Sequence, residues 1–451
     1  MDESESKLFG FLEKYLMGPM GKVATWRFVR AIMAAGMAAI PLVIVGSMFL
    51  VVNVLPETFT FLEGFFEATF FRFQDLYMLA NQTTIGLLAL YFCFTIGYEY
   101  TSIFAEEEEI DLSPLNGALL SIFAFFMTVP QLIWQNGEMS LVNTINDDAA
   151  TIGGWEVTGD GISRLDATGV FTAIIMSIIA VQLYRLCVKR NWIIKMPEQV
   201  PTGVSRSFTA LIPAFVIAFA VLILNGVLVL MGTDIFELIQ IPFGFVTNLT
   251  GSWLGMLVIT FLVHILWIVG IHGSTIVGGM LAPIWLNNMQ ANINGANLPY
   301  AGEFQTAYIL LGGAGATLGL CIFMAFLAKS KQMSVLGKTA LVPSFFNINE
   351  PILFGLPVIY NPFMAIPFFL APMVSASIGY WAIKLGFVSP IVAMMPWPTP
   401  PGLGAFISSG DYMAIVVALI CLIAASAIWY PFFRMYDQKL LAQEAGEDAL
   451  I

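Results

Sequence analysis

The sequence predicts an all-α polytopic membrane protein with about ten transmembrane helices, re-entrant hairpins and amphipathic interfacial helices. Three observations predict it. Of 451 residues, 58% are hydrophobic and only 11% are charged, whereas a soluble domain carries about a quarter charged. Apolar runs of span length recur along the chain, and about 20 such residues cross a bilayer as a helix. The 18 Lys and Arg gather in a few clusters, as they do in the cytoplasmic loops of multi-pass proteins.

The elements follow in order. Residues 1–27 form a charged amphipathic lead, with no cleavable signal peptide ahead of the first apolar run. Spans are expected over residues 28–51, 84–101, 115–133, 170–187 and 210–230. The polar stretch 143–167, broken by Gly153 and Gly154, reads as a small hairpin outside the membrane. An aromatic-rich segment, 236–247, reads as interfacial. Further spans are expected over 253–270, 274–285, 306–328, 363–385 and 412–430. With both termini in the cytoplasm, all the Lys and Arg except Arg72, Arg164 and Lys384 fall inside, as the positive-inside rule asks. The run AEEEEID at 105–111 reads as a solvated cytoplasmic loop. The chain divides into an N-terminal domain at 28–232 and a connector at 233–251. A proline- and glycine-rich C-terminal domain at 252–434 and a tail at 435–451 follow.

The net charge of -12 gives no sign of a nucleic-acid partner. The four cysteines, Cys93, Cys187, Cys321 and Cys421, lie in apolar sequence without a CxxC pair and read as buried thiols. Two histidines are too few for a histidine-rich metal site, and no metal or cofactor is expected.

Polar residues enter the C-terminal half at a few places. WIVGIHGSTIVGG (267–279) sets His272 between Gly270 and Gly273, a pattern for a broken helix that a ligand can approach closely. FNINEP (346–351) holds Glu350, the only acidic residue between Lys338 and Asp411. Proline biases the residue before it away from helical geometry, so this segment reads as a re-entrant hairpin lining a cavity. The bland alternative pairs Glu350 with Lys338 or Lys329 at the interface. A third place is MMPWPTPPGLGAF (394–406), where Pro396 and Pro398 stiffen the loop that carries Trp397. An interfacial anchor is the bland reading of that tryptophan. His264 reads more simply as a histidine bonded to a carbonyl. Ionisable groups at membrane depth are usually functional. Glu350, His272, the amides Asn349 and Asn288, and the rings of Trp267 and Trp397 together suit a neutral polyol. Amides and carboxylates bond hydroxyls, and tryptophan covers C–H faces.

FNINEPILFGLPVIYNP, GIHG, GGAGATLGL (312–320) and WPTPPGLGAF resemble the enzyme IIC component of the phosphoenolpyruvate-dependent sugar phosphotransferase system, in its lactose/cellobiose/diacetylchitobiose branch. IKMPEQVPTGVSRSFTALIP (194–213) and the lead FLEKYLMGPMGK fit too, so the resemblance runs nearly the whole chain. It implies a homodimeric plasma-membrane permease that binds a disaccharide, translocates it and presents it for phosphorylation by a cysteine of enzyme IIB. The first half would form the dimer interface and the second would hold the sugar. Glu350 and His272 would be the key polar residues there, completed by Asn349, Trp267 and Trp397. With no soluble domain fused to this sequence, enzyme IIB is expected as a separate polypeptide. Two alternatives stay open on the residues: a proton-coupled secondary sugar transporter, with Glu350 carrying the proton, and a receptor with an inert polar pocket.

Overall fold

The computed structural model describes residues 22, 25–58, 60–142, 145–146, 149–158, 161–197, 199–268, 272–356, 358 and 362–444. Most of the amphipathic lead, Gly270 and the end of the tail lie outside the described residues. Among those described, six helices are long and apolar enough to cross a membrane, and two shorter apolar helices, Pro114–Phe126 and Trp253–Ile268, accompany them. The chain forms two compact units. One draws on Gly18–Gly46 and Tyr77–Val246, the other on Ser47–Leu76 and Thr247–Ile451.

The first unit takes the start of α1 (Arg27–Thr58), most of α3 (Gln74–Thr84), then α4 (Leu88–Glu108) and α5 (Pro114–Phe126). The short α2 (Glu63–Ala68) belongs to the other unit. Helices α4, α5 and α6 (Val170–Lys189) pack on one another. Small residues let them approach: a Cβ on Gly97 would lie 2.5 Å from Ser121 Oγ and 2.9 Å from Ala118 Cα. Close backbone approach of this kind replaces the hydrophobic drive that is absent between helices in lipid. Buried hydroxyls are satisfied on their own helices, Thr101 donating to Gly97 O at 2.7 Å and Ser121 to Gly117 O at 2.8 Å.

The expected span over 115–133 stops early. α5 ends at Phe126, and Leu132–Gln135 (β1) pairs with Glu138–Leu141 (β2) in a hairpin turning at Asn136–Gly137, both with positive φ. The polar stretch beyond forms more than one hairpin. It is an antiparallel meander of Ile145–Asn146 (β3), Ala149–Ile152 (β4), Trp155–Thr158 (β5) and Gly161–Ile162 (β6). α7 (Thr202–Thr209), α8 (Leu211–Leu230) and α9 (Ile235–Gly251) follow, α9 covering the expected interfacial segment.

The acidic run at 105–111 is not a free loop. Glu107 and Glu108 close α4, where a helix C-terminus disfavours negative charge. Cations compensate. Arg27 and Arg30 bond Glu107 at 2.6 Å; Arg185 (2.6 Å), Arg27 (2.8 Å) and Lys189 (2.8 Å) converge on Glu108. The guanidiniums of Arg27 and Arg185 also stand 4.8 and 4.4 Å from the Phe104 ring. Three helices are thereby tied at one end. Glu108 is 15% exposed but its cations are 25–41% exposed, so solvent screens part of the gain. Glu108→Ala is expected to cost about 1–2 kcal/mol, below the range for a fully buried pair. Thermal unfolding in detergent checks it, and an unchanged unfolding temperature would show the network to be inert.

The second unit contains α10 (Trp253–Ile268), α11 (Gly273–Ile293), a π-helical turn Gln305–Ile309, α12 (Leu318–Phe326), α13 (Lys331–Phe345) and α14 (Glu350–Gly355). It ends with α15 (Pro362–Lys384), α16 (Leu403–Ser409) and α17 (Met413–Glu444). Two expectations change here. The segment after His272, read as short, is a 21-residue helix with Pro283 inside it. The span expected over 306–328 is not one helix, because Gly312, Gly313 and Gly315 take positive φ and make a loop of residues 310–317. The four cysteines are free and buried, as expected.

Candidate functional site

His272 is placed by the break between α10 and α11. It is the N-cap of α11: its Nδ1 accepts the Thr275 N–H at 3.2 Å and lies 2.8 Å from Thr275 Oγ1. Accepting at Nδ1 leaves Nε2 to carry the proton of the neutral ring. The side chain is exposed, so that N–H is open to a ligand. The Trp267 ring lies 4.3 Å from the imidazole, centroid to centroid, at 49°. Glu350 is near enough to act on His272 electrostatically. A Cβ on Gly273 would run into the Val263 carbonyl, so glycine is what brings the start of α11 onto α10. His264 belongs to α10 rather than to this break. It is 1% exposed, with Nδ1 2.7 Å from Thr260 O on its own helix and its ring edge-on to Phe368.

Glu350 opens α14, with Asn349 at the N-cap position. The expectation that Pro351 would keep Glu350 non-helical is corrected. A proline in the first turn removes an N–H that would have no intrahelical partner anyway. Glu350 Oε2 is buried and has no hydrogen-bond partner. Among the described residues no ion pair involves Glu350, so the interfacial pairing with Lys329 or Lys338 is not formed. Trp267 is 5% exposed and its Nε1 is likewise buried without a partner. Trp267 thus brings an unmet donor to His272 and Glu350 carries an unmet acceptor, and leaving either unpaired is costly.

The other predicted residues are placed unequally. The Asn349 amide is engaged within the protein, donating to Ala314 O at 2.6 Å and Thr317 Oγ1 at 2.7 Å. Its structural work is to hold the glycine loop beside Glu350. Trp397 keeps 55% of its surface exposed, on the stiff loop as expected. Asn288 is not gathered into this group. It is 1% exposed on α11, donates to Tyr300 O at 2.9 Å, and its Oδ1 has no partner.

Sequence reasoning missed Asn347. Its Nδ2 donates to Trp397 O and Thr399 O, both at 2.9 Å, and its Oδ1 accepts the Gly312 N–H at 2.9 Å. One side chain therefore joins the glycine loop, the FNINEP segment and the tryptophan loop. The available signal was its place in the same motif, two residues before Asn349. Glu303 was missed as well; its Oε2 accepts from Thr306 Oγ1 at 2.8 Å.

The family model "Phosphotransferase system, EIIC" matches residues 33–372. The lichenan permease IIC component of Bacillus subtilis is 33% identical over 97% of this chain and 96% of its own length. A cellobiose-specific EIIC component of Geobacillus stearothermophilus shows the same identity and coverage. Among solved structures, the transporter ChbC, the IIC component from the N,N'-diacetylchitobiose-specific phosphotransferase system, is 31% identical. It superposes with a TM-score of 0.83 over 97% of this chain and 100% of that one. With the family model covering most of the sequence and the same fold over nearly all of it, the chain belongs to the EIIC family of the phosphotransferase system, as a sugar-specific permease component of its lactose/cellobiose/diacetylchitobiose branch.

Proposed function

We propose that this permease binds a disaccharide of the cellobiose, diacetylchitobiose or lactose type at Glu350, His272 and Trp267, and presents it to enzyme IIB. The observation that carries this reading is the buried, unpartnered Nε1 of Trp267, whose ring stands against His272, together with the buried, unpartnered Oε2 of Glu350. A sugar hydroxyl is both donor and acceptor, so one ligand chemistry meets both needs. All the buried side-chain polar atoms left without a partner among the described residues lie between His264 and Glu350.

In the transfer step the sugar's C6 hydroxyl oxygen attacks the phosphorus of a cysteinyl phosphate on enzyme IIB. The new O–P bond forms as the S–P bond breaks, the cysteine leaves as thiolate, and the hydroxyl proton passes to Glu350 as general base. His272 holds the hydroxyl or the carboxylate in line, and positioning supplies most of the rate in phosphoryl transfer. The exposed Trp397 ring covers a C–H face of the sugar. Asn349 acts from behind, through the glycine loop.

About ten crossings with re-entrant hairpins, both termini in the cytoplasm, dimerisation through residues 28–232, a sugar-binding half at 252–434 and a separate enzyme IIB belong to the same reading. A proton-coupled carrier is not favoured, since the chain's relatives are phosphotransferase components.

The test is binding of radiolabelled cellobiose, diacetylchitobiose, lactose and glucose to the purified protein, with and without phosphorylated enzyme IIB. One disaccharide is expected to bind and to leave as its phosphate. Binding of none of them, or uptake of unphosphorylated sugar driven by a proton gradient, would overturn the reading.

A further inference from the structure

We infer that Asn347 is a positioning residue for the sugar: its side-chain amide clamps the Trp397 loop against the Glu350 segment and so sets where the Trp397 ring stands. The inference rests on the reading of this site as the sugar site.

The clamp grips at two points. Asn347 Nδ2 bonds the carbonyls of Trp397 and Thr399, one on each side of Pro398, at 2.9 Å each. Two anchors two residues apart fix the orientation of the loop as well as its position. The third bond, from the Gly312 N–H to Oδ1, ties the same side chain to the glycine loop. With both amide protons donated, Oδ1 already accepting the Gly312 N–H and only 8% of the residue exposed, Asn347 has no donor left for a ligand. It works through its neighbours.

Trp397 needs such a tie. The residue is 55% exposed, so packing does little to hold it. Of the other bonds near it, the Met394 N–H reaches Ser47 Oγ on α1 at 2.8 Å, and within the loop Thr399 donates its N–H and its hydroxyl to Pro396 O at 3.1 and 2.6 Å. These shape a turn but do not locate it against Glu350. Asn347 itself takes φ +62°, a left-handed conformation in which asparagine is one of the few tolerated residues. The choice of residue is narrow. Aspartate lacks both donors, serine has one, and a β-branched side chain would be strained at this φ.

The experiment is a double-mutant cycle on disaccharide affinity, using Asn347→Gly and Trp397→Ala alone and together. Glycine suits the positive φ, so the variant removes the clamp without backbone strain. Asn347→Gly is expected to weaken binding at least about ten-fold, consistent with two part-buried carbonyls losing their donors and the loop losing its tie. In the Trp397→Ala background the same change is expected to cost no more than about two-fold, because sites acting through one another are not additive. If Asn347→Gly does not fold by thermal unfolding, Asn347→Asp carries the same cycle, keeping volume and the acceptor for Gly312. Multiplying losses, or wild-type affinity in the folded single variant, would overturn the inference. Wild-type protein that binds no disaccharide would instead overturn the assignment of the site.

Discussion

Glu350→Gln is expected to lower the rate of sugar phosphorylation by at least about a hundred-fold while weakening sugar binding much less. General-base catalysis contributes about 10²–10⁴ in rate, and glutamine cannot take the proton. It keeps the shape and one acceptor oxygen, so a sugar hydroxyl still has a partner where Oε2 now has none. Glu350→Ala removes that partner too and is expected to lose binding and transfer together. The measurement pairs equilibrium binding on purified variants with phosphotransfer from phosphorylated enzyme IIB. Loss in the transfer step alone for Gln, against loss in both for Ala, separates the base from the binding group. Wild-type phosphorylation by Glu350→Gln would remove the general-base role and leave Glu350 a ligand for the hydroxyl.

Gly313→Ala is the second large effect, and it acts on the scaffold. Gly313 has φ +94°, a conformation that costs an L-residue about 1–2 kcal/mol. A Cβ there would also collide with the Asn349 side chain, reaching 2.8 Å from its Cβ and closer to its Cγ and Oδ1. Overpacking of this kind costs about 1–3 kcal/mol. The sum, about 2–5 kcal/mol, is a large share of ordinary stability. The displaced amide would release Ala314 and Thr317, so sugar affinity should fall along with the unfolding temperature. Adding Asn349→Ala removes the collision with Cγ and Oδ1 but neither the Cβ contact nor the φ cost, so the double variant is expected to be less destabilised than the two losses summed. Unchanged stability and affinity in Gly313→Ala would show that the glycine loop does not support the site.

What was legible in the chain alone follows from which interactions are local. Long apolar runs announce themselves because a helix in lipid satisfies its own backbone bonds, so composition over about 20 residues decides it. α1, α6, α8, α15 and α17 were therefore visible, to within their ends. Residues 306–328 have the same apolar composition and were misread, because hydropathy does not register the positive φ at Gly312, Gly313 and Gly315. α13, with its lysines, and the helical turns at 63–84 lacked the apolar length and went unseen.

The same division runs through the site. By itself the sequence singled out the candidate groups, since a lone Glu350, a glycine-flanked His272 and a proline-held Trp397 are rare enough in an apolar chain to stand out. Only the tertiary structure decided their parts. It set Trp267 against His272 across a helix break, committed Asn349 to the glycine loop, left Asn288 outside the group, and made Asn347 the joint between three segments. The reason is physical. A side chain's chemistry is a property of the residue, but whether its hydrogen bonds go to a ligand or to the protein depends on which backbone carbonyls and N–H groups the fold carries to it from 35 to 52 positions away.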